Sequence, residues 1–201
     1  KKSFRVIVSV LSPDALISEV LPGFAVGVVN ECKFYSGGFN HTYRIKTEDG
    51  RVYYLRAYRN QWRTFDDIQC ELDVLNHLKY KGYPAAQPVP YKDGQCYCAV
   101  PAPEGRRYLA LFTEALGQEI SYSRESGQVA RCYGHAVARM HNDLDDFSSP
   151  HPRFHLDIAH FIDQPLHNIE PFLTHRPNAR RARPRGRART PRRIRGPAVI
   201  E

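Results

Sequence analysis

Alternating apolar and polar positions predict a β-rich block in the first third of the chain. Residues 31–36, 40–47 and 51–58 have the two-residue period and the aromatic and β-branched content of strands. The glycine-rich stretch 36–39 and the turn signal at 48–50 separate them. Because each connection is short, we expect these three strands to form an antiparallel meander.

A helical period of apolar residues follows the meander. Thr64 is placed to cap a helix that Gly82 ends, and acidic residues occupy its first turn, where the helix dipole favours them. Its apolar positions are Phe65, Ile68, Leu72, Leu75 and Leu78. We also predict strands near 95–100 and 107–113, separated by Pro101, Pro103 and Gly105, and helices at 13–23, 124–143 and 158–174. This order indicates an α+β fold, in which an antiparallel-sheet lobe with one main helix precedes the first helices of a helical lobe.

Charge is distributed very unevenly along the chain. Residues 1–175 contain 19 Lys and Arg against 20 Asp and Glu, whereas residues 176–201 contain 10 Arg and one Glu. The net charge of +8 therefore comes from the last 26 residues, and the rest is near neutral. We predict an N-terminal lobe at 1–112, the start of a helical lobe at 113–175 and a disordered tail at 176–201.

The tail has two interpretations. Arg, Pro, Ala and Gly make up 20 of its residues and show no apolar period. It could be an authentic basic segment that binds RNA or DNA, which would make the protein a non-enzymatic nucleic-acid-binding protein. The interpretation we favour is an out-of-frame product of a GC-rich gene, because the composition changes abruptly inside a predicted helix. A truncated chain without a nucleic-acid partner is then expected.

Hydropathy and cysteine content indicate a soluble cytoplasmic protein. No apolar stretch approaches the ~20 residues of a membrane span, and no leader pattern opens the chain. The five cysteines are odd in number and lack the paired spacing of a zinc site, so reduced thiols are expected. Cys96 and Cys98 are predicted to share one face of a strand.

Three features occur in the order needed to hold a nucleoside triphosphate. A tight loop of small residues can bring backbone N–H groups to phosphate, a strand cation can contact phosphate, and a helix carboxylate can hold that cation. Arg56 lies in the middle of the third predicted strand, and Glu71 follows it by 15 residues, about two turns into the helix. The loop residues are Ser36, Gly37, Gly38, Phe39 and Asn40.

These residues resemble a known family. The segment 56–59, Arg-Ala-Tyr-Arg, precedes a turn with Trp62 and a helix bearing Glu71. This arrangement resembles bacterial stress-response Ser/Thr kinases of the aminoglycoside phosphotransferase and choline kinase superfamily, whose plan type II homoserine kinases share. Further similar segments are 38–43, 83–90, 111–117 and 134–141. The resemblance implies a protein-kinase-like fold, ATP and Mg²⁺ as cofactors, and a hinge whose backbone meets adenine. The hinge residues are Phe112, Thr113, Glu114 and Ala115.

The chain departs from the family pattern in two respects. Arg56 occupies a position where Lys is common, and its planar fork differs from an ammonium in geometry. The family's His-Gly-Asp catalytic loop does not occur in the sequence. The segment 141–144 imitates that loop, but Ser148 stands where Asn is needed and the segment lies too close to the hinge. The segment 145–147 imitates the metal-binding segment, but it lies too close to Asp143 to leave room for the intervening strands. We therefore assign no catalytic or metal-binding residue, and expect the Mg²⁺ ligands in a part of the helical lobe that this chain lacks.

The predicted function is transfer of a phosphoryl group from ATP to a hydroxyl of a small molecule or of a protein Ser or Thr. The chain holds the predicted nucleotide-binding part, and we expect it to be inactive alone.

Overall fold

The computed structural model describes residues 6–60, 62–117 and 126–173. The predicted tail, residues 176–201, lies outside the described residues, as do residues 124 and 125 of the predicted third helix. The chain divides into two compact units, Lys1–Arg153 and Phe154–Glu201. The lobe boundary that we place between residues 112 and 113 stays a prediction.

A five-stranded antiparallel sheet forms the centre of the first unit. Its strand order is β1-β2-β3-β5-β4, so the first three strands form the predicted meander and β5 joins β3 to the edge strand β4. The strands are β1 (Val29–Gly37), β2 (His41–Thr47), β3 (Val52–Ala57), β4 (Cys98–Ala102) and β5 (Gly105–Thr113). The α+β class and the antiparallel lobe are thus confirmed.

Two details of the predicted strand pair are wrong. Pro101 lies inside β4, opposite Arg106, instead of between the strands. An edge strand tolerates proline because one side of it needs no ladder hydrogen bond. Cys96 precedes β4, so it does not share a strand face with Cys98, and all five cysteines are free, as predicted.

The helices lie close to their predicted positions. Helical turns run from α1 (Pro13–Ala15) through a π-helical turn, Leu16–Val20, and a 3₁₀ turn, Leu21–Gly23. The main helix is α2 (Phe65–Tyr80), and the later helices are α3 (Ser126–Leu144) and α4 (Gln164–Leu173), the last preceded by a π-helical turn, Ala159–Asp163. Thr64 begins α2 with a reciprocal capping box, in which its side chain accepts from the Asp67 backbone and the Asp67 carboxylate accepts from Thr64.

The two faces of the sheet belong to different apolar clusters. On one face Tyr43, Ile45, Leu55 and Ala57 pack with the helical segment 13–23. On the other face the cluster consists of Tyr58, Ile68, Leu72, Ala110 and Phe112, and so includes α2. Because side chains alternate along β3, Arg56 lies on the α2 face between two residues of the opposite cluster.

Arg107 forms a fully buried polar network at the end of β3. Its Nε donates to the carbonyl of Tyr58 at 2.6 Å and one Nη to that of Ala57 at 3.1 Å. The other Nη donates to the Ser9 carbonyl at 3.0 Å and to the Glu104 carboxylate at 2.9 Å. Hydrogen bonds from Ser9 and from Arg107 outweigh burial and lower the pKa of Glu104 to about 2. The network attaches the N-terminal segment to the sheet and determines where β3 ends.

Replacing Arg107 should strongly destabilise the fold. Arg107→Met removes the cation that pairs with the buried Glu104 carboxylate and the donor to the Ala57 and Tyr58 carbonyls. We expect a loss of about 3–5 kcal/mol in the free energy of unfolding. Denaturant unfolding followed by circular dichroism measures it. Arg106→Met is the matched control, because Arg106 is exposed on the same strand, and its effect should stay within ~0.5 kcal/mol. Equal effects of the two substitutions would contradict the role of the network.

Candidate nucleotide-binding cleft

An ion pair joins β3 to α2. Arg56 projects from β3 toward α2, and its Nη1 donates to Oε1 of Glu71. The side chains are 37% and 30% exposed, so the pair is accessible from solvent while resting on the apolar cluster beneath. The predicted contact between the strand cation and the helix carboxylate is confirmed.

Two aromatic rings flank the Arg56 guanidinium. Its Cζ lies 4.9 Å from the ring centroid of Phe112 on β5 and 5.8 Å from that of Tyr58, just beyond β3. A guanidinium is weakly hydrated and stacks well on aromatic faces, so both contacts favour the cation in this position. Of the two rings, only Phe112 is among the residues predicted for the site.

A cleft of about 680 Å³ opens beside the ion pair. Apolar side chains of α2 and β5, including Val74, Leu75 and Phe112, line one part of it, and Arg56 and Glu71 line another. Its lining also includes Tyr35, Thr42, Tyr54, Ala86, Thr113, Glu114, Ala115, Gly117 and Arg153. The structure thus brings all four predicted hinge residues into one cleft with the ion pair. An apolar surface next to a fixed cation suits a ligand with a flat apolar part and an anionic part.

The hinge is held in place where β5 ends. Thr113 donates its backbone N–H to the Gln87 carbonyl at 2.9 Å, and its hydroxyl accepts from the Gln87 N–H at 2.9 Å. A bridge between Pro88 and Phe112 extends this contact. The segment 86–88 therefore supports the cleft wall from which residues 114 and 115 continue.

The glycine-rich loop is shorter than predicted. Ser36 and Gly37 belong to β1, where they pair with Thr42 and His41, because the strand ladder continues to the turn. Ser36, Gly37 and Gly38 are not among the described residues that line the cleft. The assignment of Ser36 and Gly37 to a loop is thus wrong, and a nucleotide contact of these residues stays a prediction.

The turn after β1 is attached to the turn before α2. Phe39 stacks on Trp62 with ring centroids 5.2 Å apart and planes inclined by 15°. The Asn40 side chain accepts from the Arg59 backbone N–H at 3.1 Å. The last two residues of the β1–β2 turn are therefore held by the segment that precedes α2.

A smaller cavity of about 350 Å³ is also lined by the ion pair. It shares Arg56, Glu71 and Arg153 with the cleft, and its remaining lining residues are Phe39, Asn40, Tyr58, Trp62, Arg63 and Asp67. Tyr58 and Trp62 are not among the residues predicted for the site. The two-residue spacing of Arg56 and Tyr58 was the available signal, since it places both side chains on one strand face.

The segments 141–144 and 145–147, which imitate the catalytic loop and the metal-binding segment, contact α2 and the residue after it. The carbonyl of Asp143, at the end of α3, lies 3.0 Å from Nε2 of His77 on α2. Asp146 pairs with Lys81 at 2.6 Å and with His77 at 3.0 Å, and the hydrogen bond from Lys81 lowers the pKa of Asp146. Neither aspartate is among the residues that line the cleft. These contacts give both residues a structural role between α2 and α3.

The described part of the chain contains neither a metal-ligand cluster nor a membrane-spanning helix. There, no group of three or more His, Cys, Asp or Glu side chains is arranged to hold a metal ion. No described helix has the length and apolar character to cross a bilayer.

Sequence comparison connects this chain with kinases. It is 33% identical over 176 residues to an uncharacterized protein of Synechocystis sp., covering 87% of this chain and 48% of the relative. It is 30% identical over 136 residues to homoserine kinase of Hyphomonas neptunium, covering 67% and 39%. The chain spans about half the length of the first relatives that it matches. No protein-family model matches it.

Solved structures show the same fold. An amicoumacin kinase in complex with AMP-PNP, Ca²⁺ and Ami matches with a TM-score of 0.57 and 22% identity, over 71% of this chain and 47% of that one. A microcompartment-associated aminopropanol kinase matches with a TM-score of 0.61 and 20% identity, over 75% and 47%. These findings support the aminoglycoside phosphotransferase and choline kinase-like superfamily. The resemblance inferred from the sequence is confirmed.

The ion pair should contribute measurably to stability. We expect a double-mutant cycle with Arg56→Met and Glu71→Gln to give a coupling energy of about 1 kcal/mol, at the upper end for exposed pairs, because the apolar cluster and two rings exclude water from one side. The four unfolding free energies measure it. Lys33 and Glu31 form the control pair, since the Lys33 side chain is 70% exposed, and their coupling should be smaller. A coupling no larger than that of the control pair would contradict the expectation.

Proposed function

We propose that this chain provides the nucleotide-binding part of an ATP-dependent phosphotransferase. The single observation that carries the proposal is the Arg56–Glu71 ion pair beside the hinge cleft. The fold neighbours and the homoserine kinase relative support a general kinase function.

Each site residue has a physical role in this proposal. Arg56 contacts a phosphate oxygen, and Glu71 keeps its guanidinium from turning away. The backbone at Phe112–Ala115 meets the adenine, and apolar side chains of α2 and β5 cover the base. The turn at Gly38–Asn40 lies next to the phosphates.

The divalent metal has no cluster of protein ligands among the described residues. The solved amicoumacin kinase contains AMP-PNP and Ca²⁺, and we propose Mg²⁺ as the partner of ATP here. The described residues do not fit a resident metal, because they present no cluster of ligands. In the proposed chemistry the described residues therefore hold no metal ion.

The acceptor is a hydroxyl group. The names of the neighbours, amicoumacin kinase and aminopropanol kinase, favour a small molecule over a protein Ser or Thr. The specific acceptor contacts are expected outside the cleft, since nucleotide-binding residues occupy it. The competing proposal, a nucleic-acid-binding protein, depends on ten arginines of the tail and predicts an affinity that falls steeply with salt.

Nucleotide binding should depend on Arg56. We expect Arg56→Met to weaken binding of AMP-PNP with Mg²⁺ by roughly tenfold or more, because it removes a charge-assisted contact to phosphate. Calorimetry measures the affinity, and the fluorescence of Trp62, the only tryptophan in the chain, reports binding next to the ion pair. Arg51→Met is the control, since Arg51 is exposed and paired with Asp49. Equal affinities of wild type and Arg56→Met would contradict the proposal.

The chain alone should not transfer phosphate. Positioning and charge neutralisation supply most of the acceleration in phosphoryl transfer, and the sequence has no His-Gly-Asp loop to position the hydroxyl. We expect no ATP turnover by residues 1–201 with Mg²⁺-ATP and a broad panel of hydroxyl acceptors. Turnover that disappears in Asp143→Asn would instead identify segment 141–144 as the catalytic loop.

A further inference from the structure

Tyr58 carries a buried hydroxyl that is influenced by both members of the Arg56–Glu71 pair. The residue is only 2% exposed, and its hydroxyl oxygen has no partner among the described residues. Leaving such a group unpaired costs free energy, so its retention in a well-packed position calls for an explanation. Tyr58 lines the small cavity together with Arg56 and Glu71.

The backbone of Tyr58 is rigidly placed. Its N–H donates to the Tyr108 carbonyl at 2.9 Å, and its carbonyl accepts from the buried Arg107 at 2.6 Å. The ring is packed in the same apolar cluster as Ile68, Leu72 and Phe112. The ring and hydroxyl therefore have little freedom to move relative to the ion pair.

The surroundings of the hydroxyl keep it protonated. Burial raises the pKa of Tyr58, and the Glu71 carboxylate raises it further. A protonated phenol is a hydrogen-bond donor, and the Glu71 carboxylate, which acts on this hydroxyl, is an acceptor. The centroid of the Tyr58 ring lies 5.8 Å from Cζ of Arg56, and the Phe112 ring also contacts this cation.

We propose that Tyr58 is a positioning residue, whose ring and hydroxyl together fix the orientation of the Arg56–Glu71 pair. The ring restricts rotation of the planar guanidinium, and the hydroxyl stabilises the Glu71 carboxylate. A guanidinium is planar and can stack on the rings, whereas an ammonium group is a compact point charge that cannot. This difference explains why Arg serves at this position. The consequence for nucleotide affinity rests on the proposed function, whereas the effect on Arg56 does not.

The experiment follows Arg56 directly in the full chain. The Nε–Hε signal of Arg56 in ¹⁵N-labelled protein is assigned by its loss in Arg56→Lys. We expect Tyr58→Phe to shift this signal, and Tyr58→Leu, which also removes the ring, to shift and broaden it more. Tyr43→Phe is the matched control, because it removes another buried hydroxyl, bonded to the Leu11 carbonyl, from the opposite face of the sheet. It should leave the Arg56 signal unchanged.

A binding measurement tests whether Tyr58 acts through Arg56. With AMP-PNP and Mg²⁺ as the probe, we expect Tyr58→Phe to weaken binding roughly threefold to tenfold in wild type and to have no further effect in Arg56→Lys. An effect of the same size in both backgrounds would overturn the proposal.

Each outcome distinguishes the two proposals. An Arg56 signal that stays at its wild-type position in both Tyr58 variants overturns the role of Tyr58, and Tyr58→Phe decides alone if Tyr58→Leu does not fold. If wild type itself does not bind AMP-PNP, the proposed function fails, and the Arg56 signal still decides whether Tyr58 positions the pair.

Discussion

The buried guanidinium of Arg107 is the constraint on which the candidate site depends. A fully buried cation must have its N–H groups satisfied, and here strand carbonyls, the Ser9 carbonyl and Glu104 do so. Two of these acceptors, the carbonyls of Ala57 and Tyr58, are at the end of β3. Because the end of β3 is held in place, the positions of Arg56 and Tyr58 relative to α2 are held as well.

The site lies where an apolar cluster reaches solvent. Ile68, Leu72 and Phe112 exclude water from below, while Arg56 and Glu71 remain about one third exposed above them. A fully buried pair would be costly to desolvate and inaccessible to a ligand, whereas a fully exposed pair would be weak and screened by salt. The observed placement keeps the cation oriented and also accessible.

The ion pair lines two cavities of different chemistry. The larger one combines apolar side chains with the hinge, and the smaller one is bordered by aromatic, amide and charged side chains. Two attachments hold the β1–β2 turn beside the smaller cavity, the Phe39–Trp62 stack and the Asn40–Arg59 hydrogen bond. In the proposed function the base lies in the larger cavity, beside Phe112–Ala115, and the phosphates lie next to Arg56.

Local patterns in the sequence determined much of this protein. Two-residue alternation predicts β1, β2 and β3, and the Thr64 cap with its apolar period predicts α2, because these signals depend only on neighbouring residues. The contact between Arg56 and Glu71 was also predictable, since the order of strand, turn and helix returns the chain to the same place. Family resemblance identified the hinge residues that line the cleft.

Only the tertiary structure decided the features that depend on distant residues. The meander continues through Ser36 and Gly37 because β2 pairs with them, although two adjacent glycines locally indicate a loop. Pro101 enters β4 because that strand lies at the sheet edge, which no local signal reveals. Arg107 and Tyr58 have ordinary strand-like surroundings in the sequence. The carbonyl partners of Arg107 are 49 or more residues away, and Tyr58 is buried with Ile68 and Leu72 of α2. Burial and charge satisfaction are properties of the assembled chain, and they explain why these two residues were not predicted.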